Sequence, residues 1–381
     1  MCDQLAAFID RCESLIREGN FNELGQALQT DEPLMAHCPA CRQQGAFYRA
    51  VWLGMARRDY ASARALLLAL IESNQTAPTL RARAMNFAAM LAEFQDRYGE
   101  SLGLYQRAYD VCTAVGDLNG QARAALNQAI VYNNRLHDPR QALTLLAQAE
   151  ELLKQAGNPS DMVRVLNERG QCWTNLKRWP EARDALHASR ALCAQQENAY
   201  FGAICQTNLG SLERLQGHWT EAEAWYAPLP AIFESEDTRN PLLQAEVLFH
   251  LNEVALAQGR FDQAAACLNQ VSDLAEANAS HHFIALACLG RARLAGQRGD
   301  REPALDLYGQ AARQIEQIRS AQGGRDVRLD FQAQWNTLYR EAAAYALQLD
   351  HIPTGFLFSE HARARVLLDT LGVPPQGPDA P

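Results

Sequence analysis

KRWPEARDALHASR, residues 177–190, is the stretch on which the fold turns. Trp179, Ala182, Leu186 and Ser189 recur at spacings of three, four and three, which puts them on one face of a helix. A large side chain there is flanked by two small ones, so a second helix can come close at the small positions while Leu186 fills the space between. Read outward in both directions, the phrase returns as GNFNEL at Gly19, RDYASA at Arg58, DRYGES at Asp96, GHWTEA at Gly217, GRFDQA at Gly259 and GDREPA at Gly299. The small residue is Ala63, Ser101, Ala142, Ala182, Ala222, Ala264 and Ala304, at intervals of 38, 41, 40, 40, 42 and 40 residues, with Leu24 in that slot of the first copy. Four residues further on stands a large one: Leu28, Leu67, Tyr105, Leu146, Leu186, Tyr226, Leu268 and Tyr308. An aromatic precedes the small slot by three (Phe21, Tyr60, Tyr98, Trp179, Trp219, Phe261), except where Pro139 and Arg301 take its place.

Twelve residues before the small slot lie Gly170 in NERGQCW and Gly210 in TNLGSLE, on what reads as a preceding helix. Two helices joined by a fixed turn form a hairpin. Such a hairpin can bury its apolar face only against its neighbours, so the expectation is an all-α solenoid with a long concave wall. Abundant Ala and Leu and few β-branched runs agree with helix throughout.

These residues resemble the tetratricopeptide signature, with a Leu-Gly or equivalent in the first helix and Ala with an aromatic in the second. The resemblance implies a right-handed superhelix of antiparallel helical hairpins, here with a period near 40 residues. About eight hairpins and a capping hairpin at 331–371 would fill residues 1–371, after a charged, glycine-containing loop at 323–330. The proline-rich residues 372–381 read as a flexible tail.

Asn86, Asn127, Asn167 and Asn208 fall on the first helices at intervals of 41, 40 and 41 residues, as rungs on the concave wall. A side-chain amide offers donors and an acceptor that match a peptide unit, so a row of them suits an extended backbone. The other reading of the row is that these amides bond between adjacent first helices and hold the register of the stack. Arg83 and Arg164 stand three residues before two of the rungs, with Arg123 nearby and Asn134 two turns on from Asn127. Guanidinium groups beside amides point to an acidic or C-terminal peptide. The expected partner is thus a protein or extended peptide held by a scaffold, and tetratricopeptide relatives use this wall in that way.

The net charge of -9 opposes a nucleic-acid footprint, and in the basic stretch Arg291 to Arg301 acids alternate with the arginines. Asp3, Asp10 and Arg11 interrupt the N-terminus, so it does not read as a signal peptide, and no run reaches membrane-spanning length. Ten scattered cysteines suggest reduced thiols and the cytoplasm. HCPAC at residues 37–41 holds Cys38 and Cys41 at the spacing of half a zinc site or a redox pair, with no second pair to complete it. The ordinary reading is a loop with two reduced thiols. His281 and His282 read as surface residues opening a helix, and Glu150, Glu151, Glu221 and Glu223 as solvated helix faces. Neither a nucleophile elbow, a phosphate loop nor a zinc helix is found, so neither an enzyme nor a cofactor is expected.

The closing stretch Ser359, Glu360, Ala362, Arg363, Ala364, Arg365, Leu367, Leu368, Asp369 and Leu371 is similar to the helix that joins a tetratricopeptide array to a caspase-like CHAT peptidase domain. That resemblance implies a regulatory arm of a caspase-like peptidase system, with the peptidase lost or supplied in trans. The alternative for the basic pair Arg363 and Arg365 is a capping helix with a basic outer face.

Overall fold

The computed structural model describes residues 2–18, 20–33, 39–95, 97–136, 138–235, 238–321 and 325–363, and among them every regular element is a helix. The chain divides into two compact units, Met1–Phe201 and Gly202–Pro381. The first unit pairs α1 (Cys2–Glu18) with α2 (Phe21–Thr30), α3 (Pro39–Met55) with α4 (Tyr60–Glu72), and α5 (Pro78–Phe94) with α6 (Tyr98–Ala114). It continues with α7 (Leu118–Asn134) and α8 (Pro139–Ala156), then α9 (Pro159–Asn175) and α10 (Trp179–Gln195).

In the second unit α11 (Ala199–Leu215), which starts just before the boundary, is followed by α12 (Trp219–Tyr226) and α13 (Leu229–Glu234). Pro228 and Pro230 split what is one helix elsewhere, because proline removes a backbone donor and clashes with the preceding turn. Then come α14 (Pro241–Ala257) and α15 (Phe261–Ala277), α16 (His281–Arg298) and α17 (Arg301–Ala321), and α18 (Arg325–Gln348) and α19 (Ile352–Arg363).

The second helix of each repeated hairpin begins at the aromatic, proline or arginine of the phrase. Just ahead of it the backbone crosses the left-handed region, at Arg58 (φ 53°), Lys177 (φ 57°), Gly217 (φ 79°), Gly259 (φ 72°) and Gly299 (φ 88°). Glycine adopts that conformation freely, whereas a side chain there costs about 1–2 kcal/mol. The turn is therefore set by the stack, which holds Arg58 and Lys177 in the same geometry.

The pattern of small and large residues is the core. Ala63, Ser101, Ala142, Ala182, Ala222, Ala264 and Ala304 are fully buried, as are Leu67, Leu146, Leu186, Tyr226 and Leu268. A Cβ on Gly170 would stand 2.5 Å from Leu186 Cγ, and one on Gly210 2.5 Å from Tyr226 Cε1, so the glycines of the first helices seat the large residues of the second. Ser189 Oγ donates to the Val163 carbonyl at 2.8 Å and ties the two helices at a buried point.

The expected loop at 323–330 is corrected: α18 starts at Arg325. Arg and Leu are good helix formers, and charge alone does not break a helix. Residues 364–371, which carry most of the CHAT-like resemblance, lie outside the described residues. No helix among the described residues is long and apolar enough to cross a membrane.

Candidate functional site

A cavity of about 550 Å³ opens in the first unit on the face made by the first helices of its hairpins. Arg83, Asn86, Arg123, Asn127 and Arg164 all line it, contributed by α5, α7 and α9. The apolar share of the wall comes from Phe47, Phe87, Met90 and Ile130. Helical spacing explains the mixture: Arg83 and Phe87 are one turn apart, as are Asn86 and Met90, and Arg123 and Asn127. The helices α5 and α7 thus each present polar and apolar groups to the cavity.

The three guanidinium groups differ in what they already hold. Arg83 pairs with Glu13, lies 4.5 Å above the Phe47 ring, and shares Glu13 with Tyr48, whose hydroxyl donates at 2.7 Å. Arg123 reaches Asp161 at 3.3 Å while nearly half exposed. Arg164 forms no ion pair among the described residues, although its charge acts on Glu168 one turn along α9 and on Tyr105. It is the cation best placed to accept a carboxylate from outside.

The amides differ as well. Asn86 has its side-chain oxygen enclosed and without a hydrogen-bond partner. A buried polar atom left unpaired costs about 1–3 kcal/mol. Asn127 lines the same wall. Asn167 is buried and bonds to Glu168, and so is turned to an internal task. Asn134 accepts from Asn133 at 2.9 Å, and Asn175 donates to Asn133 at 2.9 Å from 42 residues away. Asn208 belongs to the second unit.

Register-holding amides do exist, at positions the four-rung pattern did not select: Asn133 with Asn175, and Asn119 with Asn158 at 2.8 Å. Both pairs span about one repeat in sequence, the signal by which they could have been found.

Two carboxylates complete the wall, and neither was picked out in the sequence. Glu13 is taken up by Arg83. Burial pushes the Glu93 carboxyl up, offset in part by the Tyr105 hydroxyl that donates to it at 2.6 Å. Glu168 is displaced further: burial raises it to about 7, against the charge of Arg164 and the bond from Asn167. Its Oε2 is enclosed and unpartnered. A folded value above the ordinary carboxylate range means that stability falls as pH rises from the unfolded value through the folded one. Glu168→Gln should therefore raise the unfolding free energy near pH 8 by about 1–3 kcal/mol and give no gain near pH 4, as read from urea titrations.

The other candidates are placed as follows. Cys41 is buried and disulfide-bonded, which corrects the expectation of reduced thiols at HCPAC, while His37 and Cys38 lie outside the described residues. The cysteines at 12, 112, 172, 193, 205, 267 and 288 are buried and not disulfide-bonded. Among the described residues no cluster of His, Cys, Asp or Glu could hold a metal ion. Glu150 and Glu223 are ion-paired across helices, with Arg169 and Arg260, rather than merely solvated. His281 opens α16 as expected, but His282 packs edge-on to Trp335 at 5.2 Å because the next first helix covers it. In the basic stretch Arg293 is turned inward onto Glu253 and Glu341, whereas Arg298, paired with the fully exposed Asp262, and Arg301 stay at the surface.

Residues 80–155 match the tetratricopeptide repeat family model. No curated protein matches the sequence. Among solved structures, a Rap protein complexed with competence and sporulation factor superposes with a TM-score of 0.67 at 16% identity, over 98% of this chain and 99% of that one. The apo form of the quorum sensor NprR from B. thuringiensis gives 0.64 at 14% identity, over 96% and 99%. Aspartyl phosphate phosphatase F from Bacillus subtilis gives 0.58 at 12% identity, over 99% and 97%. At these identities the likeness is one of fold. The chain is a tetratricopeptide-like helical-repeat protein, and its residues 80–155 match the repeat model itself.

Proposed function

We propose that the chain is a binding scaffold whose first unit holds an extended peptide, or the extended segment of a protein, in the cavity lined by Asn86, Asn127 and Arg164. The observation that carries this reading is that Asn86, Asn127 and Arg164, the last without an ion pair among the described residues, line one open cavity. Asn86 would take one backbone group of the peptide. Asn127 would take a second backbone group, and the apolar stripe of Phe47, Phe87, Met90 and Ile130 a side chain. A carboxylate of the peptide, from an acidic residue or the C-terminus, would lie on Arg164 with Arg123 at its side. The described lining holds three arginines against two glutamates, one of which is consumed by Arg83.

The likeness to a Rap protein solved with competence and sporulation factor supports a scaffold that receives a partner. The test is selection from a peptide library displayed with free C-termini, followed by fluorescence anisotropy of the synthetic hits. The expected result is saturable binding that weakens about tenfold or more when the hit's acidic groups and terminus are amidated. Failure to select any peptide would sink the scaffold reading for this cavity. Hits indifferent to amidation would remove Arg164 from it.

A further inference from the structure

The second unit has a cavity of its own, about 570 Å³, between α11, α14, α16 and α18. Its composition differs from that of the first. Phe249, Phe283, Leu286 and Leu289 make an apolar wall, Trp335 and His282 stand edge to face beside it, and the polar groups gather on one side. There Arg214 and Arg293 both reach Glu253 at 3.1 Å, and Arg293 also reaches Glu341 at 2.9 Å. Both guanidinium groups are thereby spent on internal carboxylates. Glu246 is left over: its side chain is 44% exposed, and the nearest cation to it among the described residues is the His250 imidazole, Nε2 at 3.8 Å.

We propose that this cavity is a second binding site, for a ligand that carries an ammonium or guanidinium group on an apolar stem, with the cation on Glu246 and the stem against Trp335, His282 and Phe283. The chemistry is that of a basic side chain or of a free polyamine. A carboxylate beside aromatic ring faces is a favourable setting for a cation, because the ring quadrupole and the charge attract it together. The mixed Arg–Glu cluster behind Glu246 is self-compensating and would neither attract nor repel an anion strongly. The site is independent of the peptide site in the first unit and takes the opposite charge.

His250 makes the site sensitive to protons. It stacks on the Tyr226 ring at 5.4 Å and lies between Glu246 and Glu253 of its own helix, the latter at 3.3 Å from Nδ1. Arg214 faces it from α11, and His282 and Arg293 from α16, with Glu341 of α18 behind Arg293. Burial pushes the imidazole down, but the bonds to Glu246 and Glu253 outweigh it and the proton is held more tightly than usual. Burial pushes the His282 imidazole below its ordinary range, against the charge of Glu246. When His250 carries its proton it is the counter-ion of Glu246, and an incoming cation competes with that proton.

The test uses calorimetric titration of the full chain with N-acetyl-arginine amide, with spermidine, and with the uncharged N-acetyl-norleucine amide. A cationic probe is expected to bind at least tenfold more tightly than the norleucine compound, and Glu246→Gln to weaken it at least tenfold while the melting curve stays in place. Affinity should rise with pH as His250 loses its proton, and His250→Gln should flatten that rise without abolishing binding. Preference for the arginine compound over spermidine would assign the ligand to a basic side chain, and the reverse order to a polyamine. Equal binding of charged and uncharged probes, no binding of either cation, or indifference to Glu246→Gln would overturn the proposal.

Discussion

Asn86→Ala, Asn127→Ala and Arg164→Ala, combined in one chain, should weaken the binding of a selected peptide by about a hundredfold or more while shifting the melting temperature by no more than about 2 °C. The three side chains face the same cavity. Two amide hydrogen bonds and one charge-assisted contact are worth together about 3–5 kcal/mol, which is that loss in affinity. Stability should hold because Arg164 has no ion pair to lose among the described residues, Asn127 is only half-buried, and Asn86 gives up an oxygen that has no hydrogen-bond partner. Asn167→Ala is the contrasting control. That residue is buried beside Glu168, and its removal should cost stability by about 1–2 kcal/mol. Anisotropy and thermal denaturation on the same samples separate the two effects, and a triple variant that binds as well as the parent would place the working surface elsewhere.

Gly210→Ala should destabilise the chain by about 1–3 kcal/mol, a large effect for one methyl group on a helix. In an open helix the same change would be favourable by about 1 kcal/mol, since alanine is the better helix former. Here the added Cβ would meet three atoms of the Tyr226 ring at 2.5–2.8 Å. The ring cannot withdraw. It is fully buried, its hydroxyl is bonded to Ser211 at 2.9 Å, and its other face is stacked on His250. The strain must therefore be taken by the separation of α11 and α12. Urea denaturation decides the matter, and a gain in stability would show that α11 can shift at little cost. Gly170→Ala meets Leu186 at 2.5 Å and should behave alike, though more mildly where the flexible leucine can change rotamer.

Much of the fold is legible in the sequence because it rests on short-range spacing. The phrase from Lys177 to Ala182 names its own turn, and Ala182, Leu186 and Ser189 name the buried face of the helix that follows. Helical geometry makes residues four and seven apart neighbours whatever surrounds them, so eight copies reinforce one reading. Gly170 and Gly210, sixteen residues before Leu186 and Tyr226, are seated against them by the same regularity. The expectation of a loop as far as Asp330 fails from Arg325 onward, because charged residues such as arginine are good helix formers and do not by themselves end a helix.

The site is another matter. Asn86, Asn127 and Asn167 occupy equivalent places at nearly equal intervals, and by spacing alone they are the same residue three times. What separates them is the neighbour each meets, and those neighbours come from other hairpins or from local burial that spacing does not encode. Arg83 is taken up by Glu13, 70 residues away, and Arg123 by Asp161, 38 residues away, while Arg164 has no ion pair among the described residues. His250 lies between two carboxylates of its own helix by spacing alone, but its burial comes from Tyr226 and α16, which close over it. The repeat and its packing were thus determined by the sequence through periodicity. Which amide, guanidinium or imidazole remains available to a ligand was decided by the tertiary structure, because a polar group is spent or free according to its partners, and those partners are far away in the chain.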